Sequence, residues 1–146
     1  MDNLILRLLG PENVMDAHAV WKEAGLIYHP AGRDSVSRMT QELRLGKTFL
    51  VGAFLGEALL GVALGTEDGR KGWINRLAVR PGYQKQGVAQ ALISFCEKQF
   101  KSRGLGIVAA LIEEHNAASR ELFQREGYED RSDIHYFRKL TGGEDW

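Results

Sequence analysis

Apolar residues along the chain keep two rhythms, a helical one and a strand-like one, and they alternate in a fixed order. Leu4 to Leu9 reads as a first strand, closed by Gly10-Pro11. Val14, Ala17, Val20, Trp21 and Ala24 then recur at helical spacing, which predicts a helix over Pro11 to Ala24 with Gly25 at its end. Leu26 to Arg33 holds a proline and two small residues and reads as a loop. A second helix is predicted from about Asp34 to Leu45, with Asp34 or Ser35 as N-cap and Gly46 as terminator.

The middle of the chain changes rhythm. Thr48–Leu55 and Ala58–Leu64 are strand-like runs separated by Gly56-Glu57, a two-residue hairpin signal with glycine first. After Glu67-Asp68-Gly69-Arg70 a third strand of this meander covers Trp73 to Val79. Val88 to about Arg103 carries apolar residues on one broad helical face. Gly104-Leu105-Gly106 breaks that helix, and Ile107–Ile112 is continuously apolar, as a strand covered on both faces would be. Asn116 caps a last helix, Ala117 to Glu126, stopped by Gly127. Tyr128–Asp130 and Ile134–Lys139 supply final strand material, and 141–146 reads as a frayed tail.

The order β-α-α-β-β-β-α-β-α-β, an antiparallel meander feeding β-α-β crossovers, predicts an α/β (α+β) fold. It implies one mixed sheet of about six to seven strands, flanked on both faces by about four helices. No repeat, low-complexity segment or linker interrupts 1–146, so a single domain is expected, with its core at about 4–139.

Composition narrows the function classes. Nineteen basic residues balance nineteen acidic ones, so no global field draws nucleic acid or an acidic membrane. The one cysteine excludes an intramolecular disulfide and a cysteine-rich zinc site, and no metal is expected. Cys96 sits in a helical pattern beside Phe95 and Phe100 and reads as a buried structural thiol. Met1 to Arg7 lacks a signal-peptide pattern and no apolar run is long enough to span a bilayer, so a cytoplasmic protein without membrane partners is expected.

The candidate chemistry lies in Leu77-Ala78-Val79-Arg80-Pro81-Gly82-Tyr83-Gln84-Lys85-Gln86-Gly87-Val88-Ala89. An apolar strand runs into a polar, glycine-containing turn and then a long helix. Free backbone N–H groups at a helix N-terminus, aided by the helix dipole, suit a phosphate or pyrophosphate. A Walker loop and a three-glycine dinucleotide fingerprint are both absent. What is present is Gln84-Lys85-Gln86-Gly87-Val88-Ala89, small at Gly87 and Ala89 where a pyrophosphate would approach the backbone.

With this turn the chain resembles the GNAT superfamily of acyl-CoA-dependent N-acetyltransferases. A second segment, Asn116-Ala117-Ala118-Ser119-Arg120-Glu121-Leu122-Phe123-Gln124-Arg125-Glu126-Gly127-Tyr128, is similar to that family's Asn-x-x-Ala/Ser-x-x-Leu-Tyr-x-x-x-Gly-Phe/Tyr motif. The element order fits the family fold from residue 4 to residue 139. The resemblance implies that the amides of Gln84, Lys85, Gln86, Gly87, Val88 and Ala89 hold the pyrophosphate of acetyl-CoA. By the same resemblance the main chain of Leu77, Ala78 and Val79 pairs with the pantetheine arm. Asn116 and Ser119 are then expected on its far side and Phe123 near the thioester, with Arg80 and Lys85 adding charge. Each has a plain structural counterpart: Asn116 is a good N-cap with or without ligand, and Arg80 and Lys85 are ordinary surface charges.

Direct acetyl transfer needs a neutral amine, a polarised carbonyl and a proton for the leaving thiolate. A backbone N–H near Val79 is the natural donor to the carbonyl oxygen. The chain departs from the family where many members carry a tyrosine, since Phe123 has no proton to give. Tyr128 or Tyr136, or solvent, is left to serve. The third meander strand holds Asn75 and no carboxylate, so the base is unassigned, with Glu113, Glu114 and His115 as candidates. Tyr28 and His29 are expected to line the acceptor pocket by position. Together these features predict an N-acetyltransferase that passes an acetyl group to a primary amine of a small molecule or a protein, with a homodimer allowed. The alternatives are an acyl-CoA-binding module without turnover and a nucleotide-phosphate-binding protein.

Overall fold

A computed structural model describes residues 1–143 and 146. Five strands form one sheet in the order β1 (Leu4–Leu9), β2 (Thr48–Leu55), β3 (Ala58–Glu67), β4 (Gly72–Val79) and β5 (Val108–Ala109). All neighbours are antiparallel except β4 and β5, which run parallel. Among the described residues four α-helices accompany them: α1 (Val14–Glu23) and α2 (Val36–Leu45) between β1 and β2, α3 (Val88–Ser102) between β4 and β5, and α4 (Ala117–Arg125) after β5.

Each helix starts and stops on local chemistry. Pro11 opens a short 3-10 turn, Pro11–Asn13, that leads into α1. The Ser35 hydroxyl accepts the Arg38 N–H at 3.1 Å and caps α2, whose end is Gly46 at φ +82°. Asn116 caps α4 by accepting the Ser119 N–H at 3.2 Å. The β2–β3 hairpin turns at Gly56-Glu57, with Gly56 at φ +61°.

Both faces of the sheet are covered, as a mixed sheet with flanking helices requires. On one face Val51, Leu60 and Ile74 pack with Leu92, Ile93 and Phe100 of α3, and Cys96 is buried among them. On the other, Leu50, Val62 and Ala78 pack with Val20 and Trp21 of α1 and Met39 of α2.

Two expectations need correction. The sheet has five strands, fewer than read from the pattern, because β5 holds only Val108 and Ala109 of the expected Ile107–Ile112. Tyr128–Asp130 and Ile134–Lys139 form no strand, and the residues from Glu129 to Leu140 are exposed. Apolar composition alone overstated these segments, since a strand needs a paired neighbour to satisfy its backbone. Of the expected tail, Glu144 and Asp145 lie outside the described residues, whereas Trp146 stacks under the Arg38 guanidinium at 4.5 Å.

Candidate active site

The site is built on β4, and its first feature is a bulge. β4 pairs with β3 in one register at Leu64↔Asn75 and in another at Val62↔Ala78, so one extra residue enters β4 between them. Arg76 sits there at φ +50°, a left-handed conformation that non-glycine residues rarely adopt. The Trp21 indole donates to its carbonyl at 2.7 Å. The Arg76 guanidinium donates to Asp34 at 3.0 Å.

The second feature is an opening. β4 and β5 pair only at Gly72↔Val108 and Trp73↔Ala109. Beyond that point the β5 side of β4, from Ile74 to Val79, has no strand partner among the described residues. Alternate N–H groups of a strand point to opposite neighbours. The Arg80 N–H donates to the Leu60 carbonyl on β3 at 2.8 Å, so the Val79 N–H points to the open side. The Val79 carbonyl on that side is taken by the Gln84 side-chain amide at 3.1 Å. An extended chain laid against this edge therefore meets a free main-chain donor.

The third feature follows at once. Pro81 to Gln86 is an exposed turn between β4 and α3, and the Gln86 side chain donates to the Gly82 carbonyl at 3.0 Å. Gly82, Lys85 and Gly87 take φ of +92°, +61° and +89°, left-handed values of the kind found in turns whose successive backbone amides form anion-binding nests. Gly87 is the N-cap of α3 and has no side-chain cap, so the first amides of α3 stay unpaired by the protein's side chains. This is the geometry that accepts an anion.

The remaining predicted residues fall in three groups. Leu77 and Val79 point to the α3 face, and Ala78 points to the α1 face. Asn116 and Ser119 start α4, and the Asn116 carboxamide oxygen accepts the Ser119 N–H while its N–H donors have no partner among the described residues. Phe123 is buried in the α3-side core and meets Tyr128 edge-on at 4.9 Å. The Tyr128 hydroxyl donates to Glu97 on α3 at 2.8 Å, and burial, with that carboxylate, pushes its pKa up. Glu113 is exposed, and its carbonyl accepts the Asn116 N–H at 3.0 Å. Arg80 is tied elsewhere than expected: its guanidinium donates to the Leu59 carbonyl at 2.7 Å and pairs with Glu23.

Tyr28 and His29 lie on the α1–α2 connection, on the face of the sheet opposite α3. Tyr28 packs against His18 at 5.1 Å and Trp21 at 5.8 Å. His29 gives its main-chain N–H to Asp34 at 2.7 Å. Sequence reading missed Arg76, Trp21 and the inward role of Asp34. One signal was available: Asn75-Arg76 puts two polar residues side by side in an apolar strand, which breaks a period of two.

In this mixed sheet the parallel pair opens directly before a turn with the geometry that accepts an anion, so an open strand edge leads straight to the start of α3. Residues 16–128 match the family model described as Acetyltransferase (GNAT) family, and the chain belongs to that family. It is 35% identical over 83 residues to acetyltransferase plu1384 of Photorhabdus laumondii, a match that spans 57% of this chain and 57% of that protein. The fold is similar to that of the aminoglycoside N-acetyltransferase AAC(6')-Iy in complex with a CoA bisubstrate analogue. That likeness has a TM-score of 0.80 at 16% identity, over 94% of this chain and 99% of the other. It is also similar to the PaiA N-acetyltransferase of Thermoplasma acidophilum in complex with coenzyme A, with a TM-score of 0.76 at 17% identity over 87% and 90% of the two chains. A third likeness is to meta-AAC0020, an aminoglycoside acetyltransferase from an uncultured soil metagenomic sample. Its TM-score is 0.81 at 15% identity, covering 95% of this chain and 98% of that one.

Proposed function

We propose that this chain is an acetyl-CoA-dependent N-acetyltransferase acting on a primary amine. The observation that carries the reading is the two-residue β4–β5 pairing followed by an open edge that runs straight into the turn before α3. Acetyl-CoA, as co-substrate, supplies the activated acetyl group. The amides from Gln84 to Ala89 bind its pyrophosphate, and the edge from Leu77 to Val79 takes its pantetheine arm as an added strand. Asn116 and Ser119 flank that arm from the start of α4, and Phe123 supports it from the core. The Val79 N–H is placed to polarise the thioester carbonyl, a contribution that grows as negative charge develops on the oxygen. Cys96 is buried and its thiol is pushed up to about 12, first by burial and then by Glu97, so direct transfer is favoured over an acyl-enzyme.

The acceptor, a small molecule or a protein amine, enters from the α1–α2 face, past Tyr28 and His29, because α3 and its turn cover the other. A second reading, acyl-CoA binding without transfer, draws support from Phe123 and from the Tyr128 proton being held by Glu97. Calorimetry with CoA, acetyl-CoA, ATP and NAD, joined to thiol release over a panel of amines, separates these. Binding of CoA but not nucleotides, with thiol release on at least one amine, is the expected result. Nucleotide binding without CoA binding would sink the reading.

A further inference from the structure

We infer that Asp34 is a positioning residue: it locks the acceptor-side connection between α1 and α2 onto the β4 bulge. The inference rests on the transferase reading above. Asp34 is the buried charged residue of the described structure, with its side chain 4% exposed, and it touches three separate segments. One carboxylate oxygen, Oδ2, accepts the His29 main-chain N–H at 2.7 Å and the Arg76 guanidinium at 3.0 Å. Its main-chain carbonyl lies 2.6 Å from His18 Nε2 on α1. A carbonyl oxygen only accepts, so Nε2 is the donor in this contact and ties α1 to the connection before α2.

Capping does not explain this placement, since Ser35 caps α2 with its own hydroxyl. A buried carboxylate that joins a loop to a strained strand residue 42 positions away fixes the relative place of those two segments. The bulge aims the Val79 N–H at the open edge, and the loop carries Tyr28 and His29 on the same face of the sheet as Arg76. Asp34 thus sets the distance between the acceptor's wall and the strand at which the acetyl group is held. The turn from Pro81 to Gly87 is closed by its own bonds, from Gln84 to Val79 and from Gln86 to Gly82, and none involves Asp34.

Steady-state kinetics test the idea with acetyl-CoA as donor and neamine, spermidine and a lysine-containing peptide with a free N-terminus as acceptor probes. Asp34→Asn keeps the shape and leaves Arg76 without its counter-charge. We expect CoA affinity by calorimetry to stay within about twofold and kcat/KM for the best acceptor to fall at least tenfold, on the order expected when a buried charge pair is broken. Arg76→Gln, which leaves the loop carboxylate in place, should reproduce that split, and Arg76→Lys should recover much of the loss. Unchanged acceptor kinetics in a folded Asp34→Asn or Arg76→Gln protein would overturn the inference. So would a parallel loss of CoA affinity, which would mark a general structural role. Wild-type protein that binds acetyl-CoA and acetylates none of the three probes would overturn it together with the transferase reading, a result distinct from the others because it appears before any substitution.

Discussion

Replacing Gly87 by alanine isolates the ligand-binding role of the turn from its backbone cost. Gly87 holds φ +89° and ψ 1°, and a Cβ built there meets nothing nearer than the Gln90 side-chain oxygen at 3.9 Å. Space within the protein is therefore not the obstacle. Conformation is: an L-residue held left-handed costs about 1–2 kcal/mol. For a domain of this size that lowers Tm by roughly 2–8 °C. Gly82, in the same turn at φ +92° with nothing within 4 Å of its Cβ, carries the same backbone cost and lies outside the predicted anion contacts. The two variants should then melt alike and bind differently. A methyl group at Gly87 keeps a phosphate from reaching the amides at the start of α3. Losing one charge-assisted hydrogen bond, about 1.5–3 kcal/mol, weakens binding roughly 10- to 100-fold. Calorimetry with CoA beside differential scanning measures both. Equal CoA affinity in Gly82→Ala and Gly87→Ala would refute the placement of the pyrophosphate.

Three further outcomes follow from single contacts. A Cβ on Gly72 would press into the ring of Phe100, so Gly72→Ala should cost about 1–3 kcal/mol in urea unfolding, and an unchanged midpoint would show that the ring moves freely. Arg80 is occupied by the Leu59 carbonyl and Glu23, so Arg80→Gln should leave CoA affinity within about threefold, and a larger loss would return Arg80 to the phosphates. Cys96 is raised from 9.0 to about 12, so the folded state holds its proton more tightly than the unfolded chain does. That contribution is complete below pH 9 and is lost as pH rises towards 12, at up to about 1.4 kcal/mol per pH unit. Tyr128, also raised, acts in the same direction at higher pH. Urea titrations between pH 8 and 10.5 should show the loss, and the slope should flatten in Cys96→Ala.

What could be read from sequence was whatever depends on neighbours in the chain. The hairpin at Gly56-Glu57 and the cap at Asn116 are local, and each is where the pattern placed it. The motifs at 77–89 and 116–128 carried the family, because turn geometry and helix starts are written in consecutive residues. Pairing is not local. Ile107–Ile112 has the composition of a buried strand, yet only Val108 and Ala109 find β4, and the described residues after Tyr128 find no strand. Asp34 reads as a cap from its neighbours and acts as a buried partner of Arg76 in the fold.

The bulge shows why such distant contacts matter to the chemistry. Gly72 and Arg80 stand an even number of residues apart, so in a regular strand their N–H groups would face the same neighbour. They do not: Gly72 donates to Ile107 on the β5 side at 2.9 Å, and Arg80 donates to Leu60 on β3 at 2.8 Å. The extra residue at Arg76 reverses the phase between them. Below the bulge even-numbered amides face β5; above it odd-numbered ones do, and Val79 is the last of these. Remove the insertion and the Val79 N–H turns into the β3 ladder, while Leu77 and Val79 swap faces with Ala78. The donor that polarises the carbonyl in the proposed reaction thus exists because one residue is held left-handed, and that residue is held by the Trp21 indole and the Asp34 carboxylate. Binding of the donor can be carried by a local motif; aiming the reactive amide is the work of contacts from α1 and the loop before α2.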